Sequence, residues 1–430
     1  MSATLTPARP SSPAPTEPIV VMRSWKAPVV LSVFAVVAVL VFGVFAKGGV
    51  TSTFDLSLVD DAVQITPLAV PSKVVGVVLA LACVALAALS FGYSWQRRQT
   101  PTWVAMLFGV TFVLAFLCWA VADKRMSFVG LLQGTLLLAA PLIFGAMSGV
   151  LCERSGVINI AIEGQLLAGA FLSATVASVT GNIWVGLIAA PVAGLLVSLM
   201  ITLFCIRYVV DQIIVGVVIN VFVLGLTGFL YDRLLQPQQD VFNSPDTFTP
   251  VKIPLLGDIP IIGPVLFDQS VIIYLMYVVV AVIHVALFRT RWGLRVRAVG
   301  EHPRAADTVG INVNRVRRVN VMLGGMVAGL GGAFFTLGSV GAFDKGMSAG
   351  KGFIALAAMI FGRWSPLGAL GAALLFGFAD NLQSILGIIG TPIPSEFMLM
   401  APYLATIFAV AGLVGRVRAP AADGQPYVKA

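Results

Sequence analysis

Three polar side chains recur at intervals of four residues in an apolar stretch near the middle of the chain. At this spacing Ser155, Asn159 and Glu163 share one face of a helix. Amide and carboxylate groups inside an apolar segment are costly unless they face the interior of a helix bundle or water. The stripe therefore predicts one of two roles: a polar lining for a solute pathway, or hydrogen bonds between helices that fix their packing.

Further polar residues lie within or just after other apolar segments. Asn220 occupies the middle of the run from Asp211 to Asp232, and a polar cluster follows a glycine-rich region. Together these side chains predict a polar, mostly uncharged cavity, which suits a neutral polar solute with a flat ring or hydroxyl groups. The predicted pathway residues are Asn159, Glu163, Asn220, Asp380, Asn381 and Gln383.

Patterns typical of catalysis and metal binding are missing from the sequence. It has two histidines, His284 and His302, and four cysteines in or beside apolar runs, none at metal-ligand spacing. The glycine-rich segment 346–352 lacks both the spacing of a phosphate loop and the Ser or Thr after its lysine. We therefore predict a chain that is not an enzyme, with no catalytic residues, no metal site, no bound cofactor and no ATP site.

The most basic part of the chain is the segment 289–318, which carries eight arginines and only two acidic residues. Apolar runs long enough to cross a membrane lie on both sides, Val271–Phe288 and Val319–Val340. Basic loops between spans belong on the cytoplasmic side of a membrane. This loop is therefore predicted to face the cytosol.

A short helix is predicted at the centre of the basic loop. Pro303 suits the first position of a helix, and Gly310 suits the position just past its end. A short helix that a membrane protein presents to the cytosol is suited to contacting a soluble partner. Such a partner, rather than this chain, would supply the energy for transport.

The composition indicates what kind of scaffold positions these segments. Of the 430 residues, 58% are hydrophobic and 11% are charged, with a mean hydropathy of +0.97, whereas a soluble domain carries about 25% charged residues. The apolar runs are continuous and roughly 20 residues long, unlike the short alternating segments of a β-barrel. We predict an all-α polytopic membrane protein with about ten transmembrane helices, at residues 28–46, 72–92, 102–122, 128–150, 157–179, 184–205, 211–232, 271–288, 319–340 and 396–415.

The region 352–394 does not fit this series of spans. One apolar run ends at Phe361, the motif Gly362–Pro366 interrupts it, and a second run covers Leu367–Ala379. Neither run spans a bilayer comfortably. The pattern predicts either broken or re-entrant helices that line a pathway, or glycines that let helices pack closely.

The positions of Lys and Arg set the predicted orientation. Basic residues before the first span, between the second and third spans, in the loop 289–318 and after the last span all favour the cytosol, so both termini are predicted to be cytoplasmic. The net charge of +8 is concentrated in these short segments, which argues against nucleic-acid binding. We expect a multi-pass protein of the bacterial inner (plasma) membrane, in contact with lipid.

Three motifs carry a resemblance to a known family. The segments Ser155–Gly164, SGVINIAIEG, and Arg297–Val313, RAVGEHPRAADTVGINV, resemble membrane permeases of the branched-chain amino acid, ribose and nucleoside branch of ABC importers. The segment Ala349–Asp380 is very similar to the nucleoside-type permeases within that branch.

The resemblance also implies a division of the chain. It covers residues 128–415, which would form the permease core with the coupling loop 289–318. Residues 28–127 would add extra transmembrane helices before this core. The remaining segments would be a disordered cytosolic tail at residues 1–27 and a cytosolic C-terminal tail at residues 416–430.

By this resemblance, the chain would act as one subunit of an importer for nucleosides, with a simple sugar or a branched-chain amino acid as the alternative solute. Such permeases pair with a second, related permease and receive solute from an extracytoplasmic solute-binding lipoprotein. Two cytosolic ATPase domains consume ATP and power them. The short helix would be the coupling helix that docks on an ATPase, through Glu301, Pro303, Arg304, Ala305, Ala306, Asp307 and Gly310.

Two other classes of function compete with an importer subunit. A stand-alone secondary transporter would use Glu163 or Asp380 to bind a proton or another cation, because intramembrane carboxylates serve this role. A membrane-bound enzyme or structural protein is the third class, and no catalytic constellation favours the enzyme. Gradient-driven uptake by the isolated chain, without ATP or partners, would distinguish the secondary transporter from the importer.

Overall fold

A computed structural model describes residues 25–429, except for residues 60, 62, 392–399 and 401–417. Within this part of the chain, ten helices are long and apolar enough to cross a membrane. The prediction of an all-α polytopic protein with about ten transmembrane helices is therefore confirmed. The predicted span 396–415 lies outside the described residues, apart from Met400. The helices form two compact units, one of residues 25–50 with 71–119 and one of residues 51–70 with 120–429.

The smaller unit contains the three spans predicted before residue 123. The Phe42 ring meets the rings of Phe112 and Phe116 edge-on, at centroid separations of 5.4 and 6.0 Å. Two of the helices approach closely at Gly76, where a Cβ would lie 2.6 Å from the carbonyl oxygen of Phe42. The helices are α1 (Lys26–Val37, continuing as a π-helix to Val44), α2 (Ser72–Trp95) and α3 (Thr102–Ala120).

The larger unit contains the other seven candidate spans and several shorter helices. Its central helix, α4, is buried along most of its length and packs against α12, α13 and α14. The helices of this unit are α4 (Phe128–Glu153), α5 (Ile162–Thr180), α6 (Ile183–Ile201, continuing to Arg207), α7 (Gln212–Leu230, continuing to Leu235), α8 (Gln239–Phe242), α9 (Val271–Arg289), α10 (Arg291–Glu301), α11 (Pro303–Thr308), α12 (Val313–Phe335, continuing to Val340), α13 (Lys351–Phe361) and α14 (Pro366–Ile389).

Short strands lie in the connections of this unit. The strand that leads into α4 follows Lys124, whose ammonium group donates to the carbonyl oxygens of Ile389 and Gly390 at the end of α14. We call this the sheet end of the unit, and we call the end that carries the segment 289–318 the basic end. The strands are β1 (Thr51–Asp55), flanked by β2 (Leu68–Pro71) and by its parallel partner β3 (Arg125–Ser127), and the antiparallel pair β4 (Val251–Lys252) and β5 (Asp268–Gln269).

Glycines allow α6 and α12 to pack with their backbones in contact. A Cβ on Gly329 would collide with the carbonyl oxygen of Ala190, and a Cβ on Gly325 would collide with that of Gly194. Small residues at such crossings let helices approach closely inside a membrane. The position of α12 against α6 therefore depends on these glycines.

α5 begins later than the sequence pattern predicted. The predicted span started at residue 157, but residues 154–161 form a connection before α5. Gly156 has a left-handed φ of 85°, and the Ile158 N–H donates to Gln212 Oε1 at 2.8 Å instead of to a helical carbonyl. Ser155 and Asn159 therefore do not share a helix face with Glu163, and this part of the prediction is wrong.

The region 352–394 holds one short helix and one long helix. α13 has 11 residues, as the predicted break after Phe361 requires. The second predicted run does not stop at Ala379, because α14 continues to Ile389 and, at 24 residues in all, is long enough to span. Its polar residues are tolerated because Asp380 pairs with Lys351 and Asn381 bonds to the backbone of α4. The prediction that neither run spans is therefore wrong for the second run.

The basic segment is more helical than predicted. The prediction placed a single short helix in the loop 289–318, but α10 precedes that helix, and α12 begins at Val313 rather than at residue 319. α10 starts where the Thr290 hydroxyl accepts the Gly293 N–H at 3.1 Å. α10 has a buried face that includes Val296 and Val299, which are three residues apart. The arginines of the helix make this apolar face difficult to recognise in the sequence.

Candidate functional site

The short helix α11 has the predicted boundaries. Pro303 is its first residue, and Gly310, with a φ of 85°, follows its end. The predicted coupling residues from Pro303 to Asp307 lie on this helix. Glu301 belongs instead to the last turn of α10.

α11 exposes most of its surface and is anchored by one apolar side chain. Ala306 is buried against Val299 of α10 and Val313 of α12. Arg304 and Ala305 are exposed. Because recognition surfaces built on helices are positioned more precisely than those built on loops, this arrangement suits docking of a partner protein.

A packed arginine connects α10 to the core of the unit. Arg154 Nε donates to the carbonyl oxygen of Trp364 at 2.8 Å, and its guanidinium lies 5.7 Å from the centre of the Phe288 ring. The guanidinium of Arg297, on α10, lies 5.2 Å from the centre of the same ring. Burial lowers the pKa of Arg154 from its ordinary value. The α10 backbone also contacts this connection, because a Cβ on Gly300 would collide with the Arg154 carbonyl oxygen.

Asn159 lies in a fully buried network of neutral hydrogen bonds. Its Nδ2 donates to Ser148 Oγ at 3.2 Å and to Gln165 Oε1 at 3.0 Å. Gln165 Nε2 in turn donates to Ser198 Oγ at 2.9 Å. The network joins α4, α5 and α6, and satisfied networks of this kind fix packing. The predicted place of Asn159 on a solute pathway stays a prediction.

The carboxylate of Glu163 caps the N-terminus of α13. Oε1 accepts hydrogen bonds from Ser348 Oγ at 2.6 Å and from the Gly350 N–H at 2.8 Å, and Oε2 accepts the Gly352 N–H at 2.6 Å. The free N–H groups at a helix N-terminus favour a negative charge. Gly352 also contacts the Glu163 backbone so closely that a Cβ would collide with it. The first turns of α5 and α13 are therefore held together.

Asn220 and Asp380 contact the N-termini of the same two helices, α5 and α13. Asn220 of α7 donates to the carbonyl oxygen of Ile160 and accepts the Gly164 N–H, both at 2.8 Å, so it caps the start of α5. Asp380 of α14 pairs with Lys351, the first residue of α13, at 3.3 Å. Three predicted pathway residues from distant parts of the sequence therefore meet around the adjoining N-termini of α5 and α13.

Asn381 and Gln383 follow on α14. Asn381 Nδ2 donates to the carbonyl oxygen of Leu131 at 2.8 Å, so this residue fastens α14 to α4. Gln383 is half-buried. Their predicted contact with solute stays a prediction.

Four side chains at the N-terminus of α13 form what we call the α13 cluster: Glu163, Ser348, Lys351 and Asp380. The sequence pattern identified the two carboxylates and missed the other two residues. The sequence did contain a signal for them, because Ser348 and Lys351 lie on either side of Gly350, just where an apolar helix begins. In the structure Gly350 has a φ of 80°. Because the ammonium group and the helix N-terminus offset the two carboxylates, the cluster can offer hydrogen bonds to a neutral polar molecule.

Comparison with known proteins finds extensive similarity across the larger unit. The family described as branched-chain amino acid transport system, permease component, matches residues 131–414. This range includes α11 and the α13 cluster. No solved structure matches the chain significantly.

Three relatives illustrate the range of similarity. The guanosine ABC transporter permease protein NupQ of Bacillus subtilis is 44% identical over 308 residues, which cover 70% of this chain and 96% of NupQ. The nucleoside ABC transporter permease protein NupC of Lactococcus lactis is 39% identical over 303 residues, which cover 68% of this chain and 95% of NupC. The putative glucose ABC transporter permease protein TsgC13 of Haloferax volcanii is 34% identical over 259 residues, which cover 60% of this chain and 78% of TsgC13.

Proposed function

The chain belongs to the family of permease components of branched-chain amino acid transport systems, and on this basis we propose that it is the permease subunit of an ATP-driven ABC importer for nucleosides. It is a multi-pass transport subunit of the cell membrane, not an enzyme. The observation that carries the choice of solute is the 44% identity over 96% of a guanosine permease. Identity to a putative glucose permease is lower, at 34%, and covers 78% of that protein, so a nucleoside is favoured over a sugar.

We place the basic end in the cytosol, where α11 docks on an ABC ATPase. The segment 289–318 holds eight arginines against two acidic residues, and such loops stay on the cytoplasmic side. Ala306 anchors α11, so that its exposed residues keep a fixed position towards the partner. The docking residues are then Glu301, Pro303, Arg304, Ala305, Ala306, Asp307 and Gly310.

ATP is bound and hydrolysed by the partner, and this chain holds no cofactor of its own. When the ATPase subunits close around ATP, α11 moves with them. The movement reaches α4 because the α10 backbone at Gly300 contacts Arg154, which is also bonded to Trp364 before α14. Binding of the solute to this chain and of ATP to the ATPase therefore shifts the same equilibrium between two conformations of the helix bundle.

We place the solute pathway beside the α13 cluster. α13 has 11 residues and is too short to cross a bilayer, and short helices of this kind end at solute sites in transporters. Glu163 and Asn220 hold the two helix starts in register, while Lys351 and Asp380 supply polar groups that can exchange partners. The hydroxyls of a ribose and the polar edge of a base are neutral donors and acceptors that suit such a site. Asn159 and Asn381 bond to neighbouring helices around this site, and with Gln383 they complete the proposed pathway residues.

Three further partners follow from this assignment. A second, related permease completes the transmembrane pathway, and an extracytoplasmic solute-binding lipoprotein delivers the nucleoside at the sheet end. Lipid covers the outward faces of the spans, such as the face of α7 with exposed Val217, Val221 and Phe222. The arginines face the ATPase and the lipid surface, and nucleic acid is not a partner.

The test combines purification with uptake. The full-length chain is tagged and purified from its native membranes, and the proteins that accompany it are identified. In parallel, membrane vesicles are assayed for guanosine uptake in competition with unlabelled nucleosides, glucose or leucine. We expect an ABC ATPase in the complex and competition by nucleosides alone. Competition only by glucose or leucine contradicts the solute, and a complex without an ATPase contradicts the coupling.

A further inference from the structure

The described C-terminal residues 418–429, which we call the strap, pack against the basic end of the same unit. The Ala422 N–H donates to the carbonyl oxygen of Gly300 at 2.9 Å, which joins the strap to α10. Arg317 of α12 donates from Nη1 to the carbonyl oxygen of Gln425 at 2.8 Å. The strap therefore lies across the two helices that flank α11.

Tyr427 brings the strap into contact with α11 itself. Its ring packs against the apolar cluster of Val299, Ala306 and Val313, which anchors α11. Its side chain lies beside that of Asp307 on α11. The strap is therefore part of the surface on which α11 is displayed.

A second attachment lies deeper in the unit. The side chain of Asp423 lies beside that of Glu153, the last residue of α4. Glu153 Oε2 also accepts the indole N–H of Trp364 at 2.6 Å, just before α14 begins. The strap thus bridges α11 and the ends of two spanning helices.

Two crevices flank Tyr427, and each has one wall from the strap. The larger has a volume of about 770 Å³ and lies between the strap and the start of α11, where Arg304 and Val428 line it. The smaller has a volume of about 370 Å³, and Asp307, Arg318 and Lys429 line it. A partner that covers α11 therefore meets the strap at the same time.

The charges around these crevices favour a partner with an acidic surface. Glu301 accepts the Ala421 N–H at 3.2 Å, and Asp307 lies beside Tyr427. Among the residues that the structure describes, Arg304, Arg318 and Lys429 form no ion pair with a carboxylate. The surface therefore presents cations whose charge a partner can neutralise.

Building on the proposed function, we propose that the strap is the second half of the ATPase docking surface: the ATPase contacts α11 and the strap together, and acidic side chains of the ATPase enter the crevices beside Tyr427. The site is then a composite of two segments more than a hundred residues apart in sequence. Residues of the C-terminal segment help to decide which ATPase this permease accepts.

The test measures the affinity of the co-purified ATPase for the full-length permease in nanodiscs. Val428 is 72% exposed and lines the larger crevice, so its side chain can be changed without unpacking the strap. We expect V428D to raise the dissociation constant about five- to tenfold at low salt, because an added carboxylate repels an acidic partner. V428K, which adds a charge opposite to that of an acidic partner, should lower the dissociation constant. A419D adds the same charge to an exposed strap residue outside both crevices and should change the affinity less than about twofold.

The possible outcomes separate this inference from the proposed function. If the unaltered permease fails to bind any ATPase, the proposed function itself is wrong. If it binds, and R304E weakens binding while both Val428 variants match A419D, the docking role of α11 stands and the role of the strap is overturned. Equal weakening by V428D and V428K also overturns the proposal, because an acidic partner would distinguish them.

Discussion

The Glu163 carboxylate accepts the backbone N–H of Gly352 at 2.6 Å, so the first turn of α5 holds the first turn of α13. Hydrogen bonds from Ser348 and Gly350 to the same carboxylate complete this cap. The two helix starts therefore move together. We call this contact between the starts of α5 and α13 the joint. In the proposed transport cycle, the joint transmits movements of the core to α13, the short helix beside the solute.

Glu163→Gln tests the joint with little change in side-chain size. The variant loses the charge that three donors share, and a charge-assisted hydrogen bond contributes about 1.5–3 kcal/mol. We expect the initial rate of guanosine uptake to fall about tenfold or more at matched protein levels, while ATPase co-purification stays normal because α11 is unchanged. Asp240→Asn removes an exposed acid elsewhere and should have no effect. If E163Q and D240N take up guanosine at the same rate, the contact between Glu163 and the start of α13 has no role in transport.

Arg304→Glu tests α11 as the ATPase contact. Arg304 is exposed on α11 and has no ion-pair partner among the described residues, so reversing its charge should not unfold the helix. We expect uptake to fall about tenfold and less ATPase to co-purify, with the larger loss at low salt. Arg233→Glu makes the same change at an exposed position in the continuation of α7, and it should leave ATPase recovery unaltered. Equal recovery of ATPase with both variants would contradict the docking role.

The attachment of the strap should depend on pH through Asp423. Burial raises the pKa of Asp423 from 3.8 to about 6, where Glu153, Arg317 and the Gly424 backbone face it. Because the pKa of this acid is higher in the folded protein, its protonated form favours attachment. This contribution is fully present below about pH 4 and is lost as the pH rises through about 6.

Spin labels at Val309→Cys and Val428→Cys can follow this change, because both positions are exposed. We expect a narrow distribution of distances between the labels at pH 5 and a broader one at pH 8. Adding Asp423→Asn, which stays neutral, should keep the distribution narrow at both pH values. The same broadening in the Asn variant would show that another group controls the strap.

Gly156→Ala should destabilise the connection between α4 and α5. Gly156 has a φ of 85°, and a Cβ there would lie 2.8 Å from Arg317 Nη2 and 3.1 Å from the Ala422 carbonyl oxygen. The backbone strain alone costs about 1–2 kcal/mol, and the contacts add to it. Gly181→Ala has the strain without the contacts, because its φ is 61° and no atom lies within 4 Å of its Cβ position. If G156A lowers the melting temperature no more than G181A does, the close packing of Gly156 against Arg317 and Ala422 is contradicted.

Local pattern in the sequence was enough to find nine of the ten candidate spans in the described part of the chain, and the short helix α11. Membrane-spanning helices differ from their surroundings in hydropathy over roughly 20 residues. Pro303 and Gly310 marked the ends of α11 because a proline and a left-handed glycine have fixed preferences at these positions. Both signals depend only on residues that are close together in the chain.

Two of the features that were predicted wrongly depend on distant partners, and a third was missed because of its local composition. α14 passes Asp380 because Lys351 neutralises that carboxylate from another helix. The spacing of Glu163 and Asn159 predicted a shared polar stripe, yet the partners of Glu163 follow it in the sequence by 185 to 189 residues. α10 was missed because its arginines lower the hydropathy of a helix whose apolar face is narrow.

The most direct measurement of the central claim is guanosine uptake by purified components in proteoliposomes. The permease is reconstituted alone, and also with its co-purifying ATPase, second permease and solute-binding protein. The account predicts uptake against a gradient only by the complete assembly and only with ATP on the side of the ATPase. Accumulation of guanosine by the permease alone, driven by an ion gradient without ATP, would contradict it.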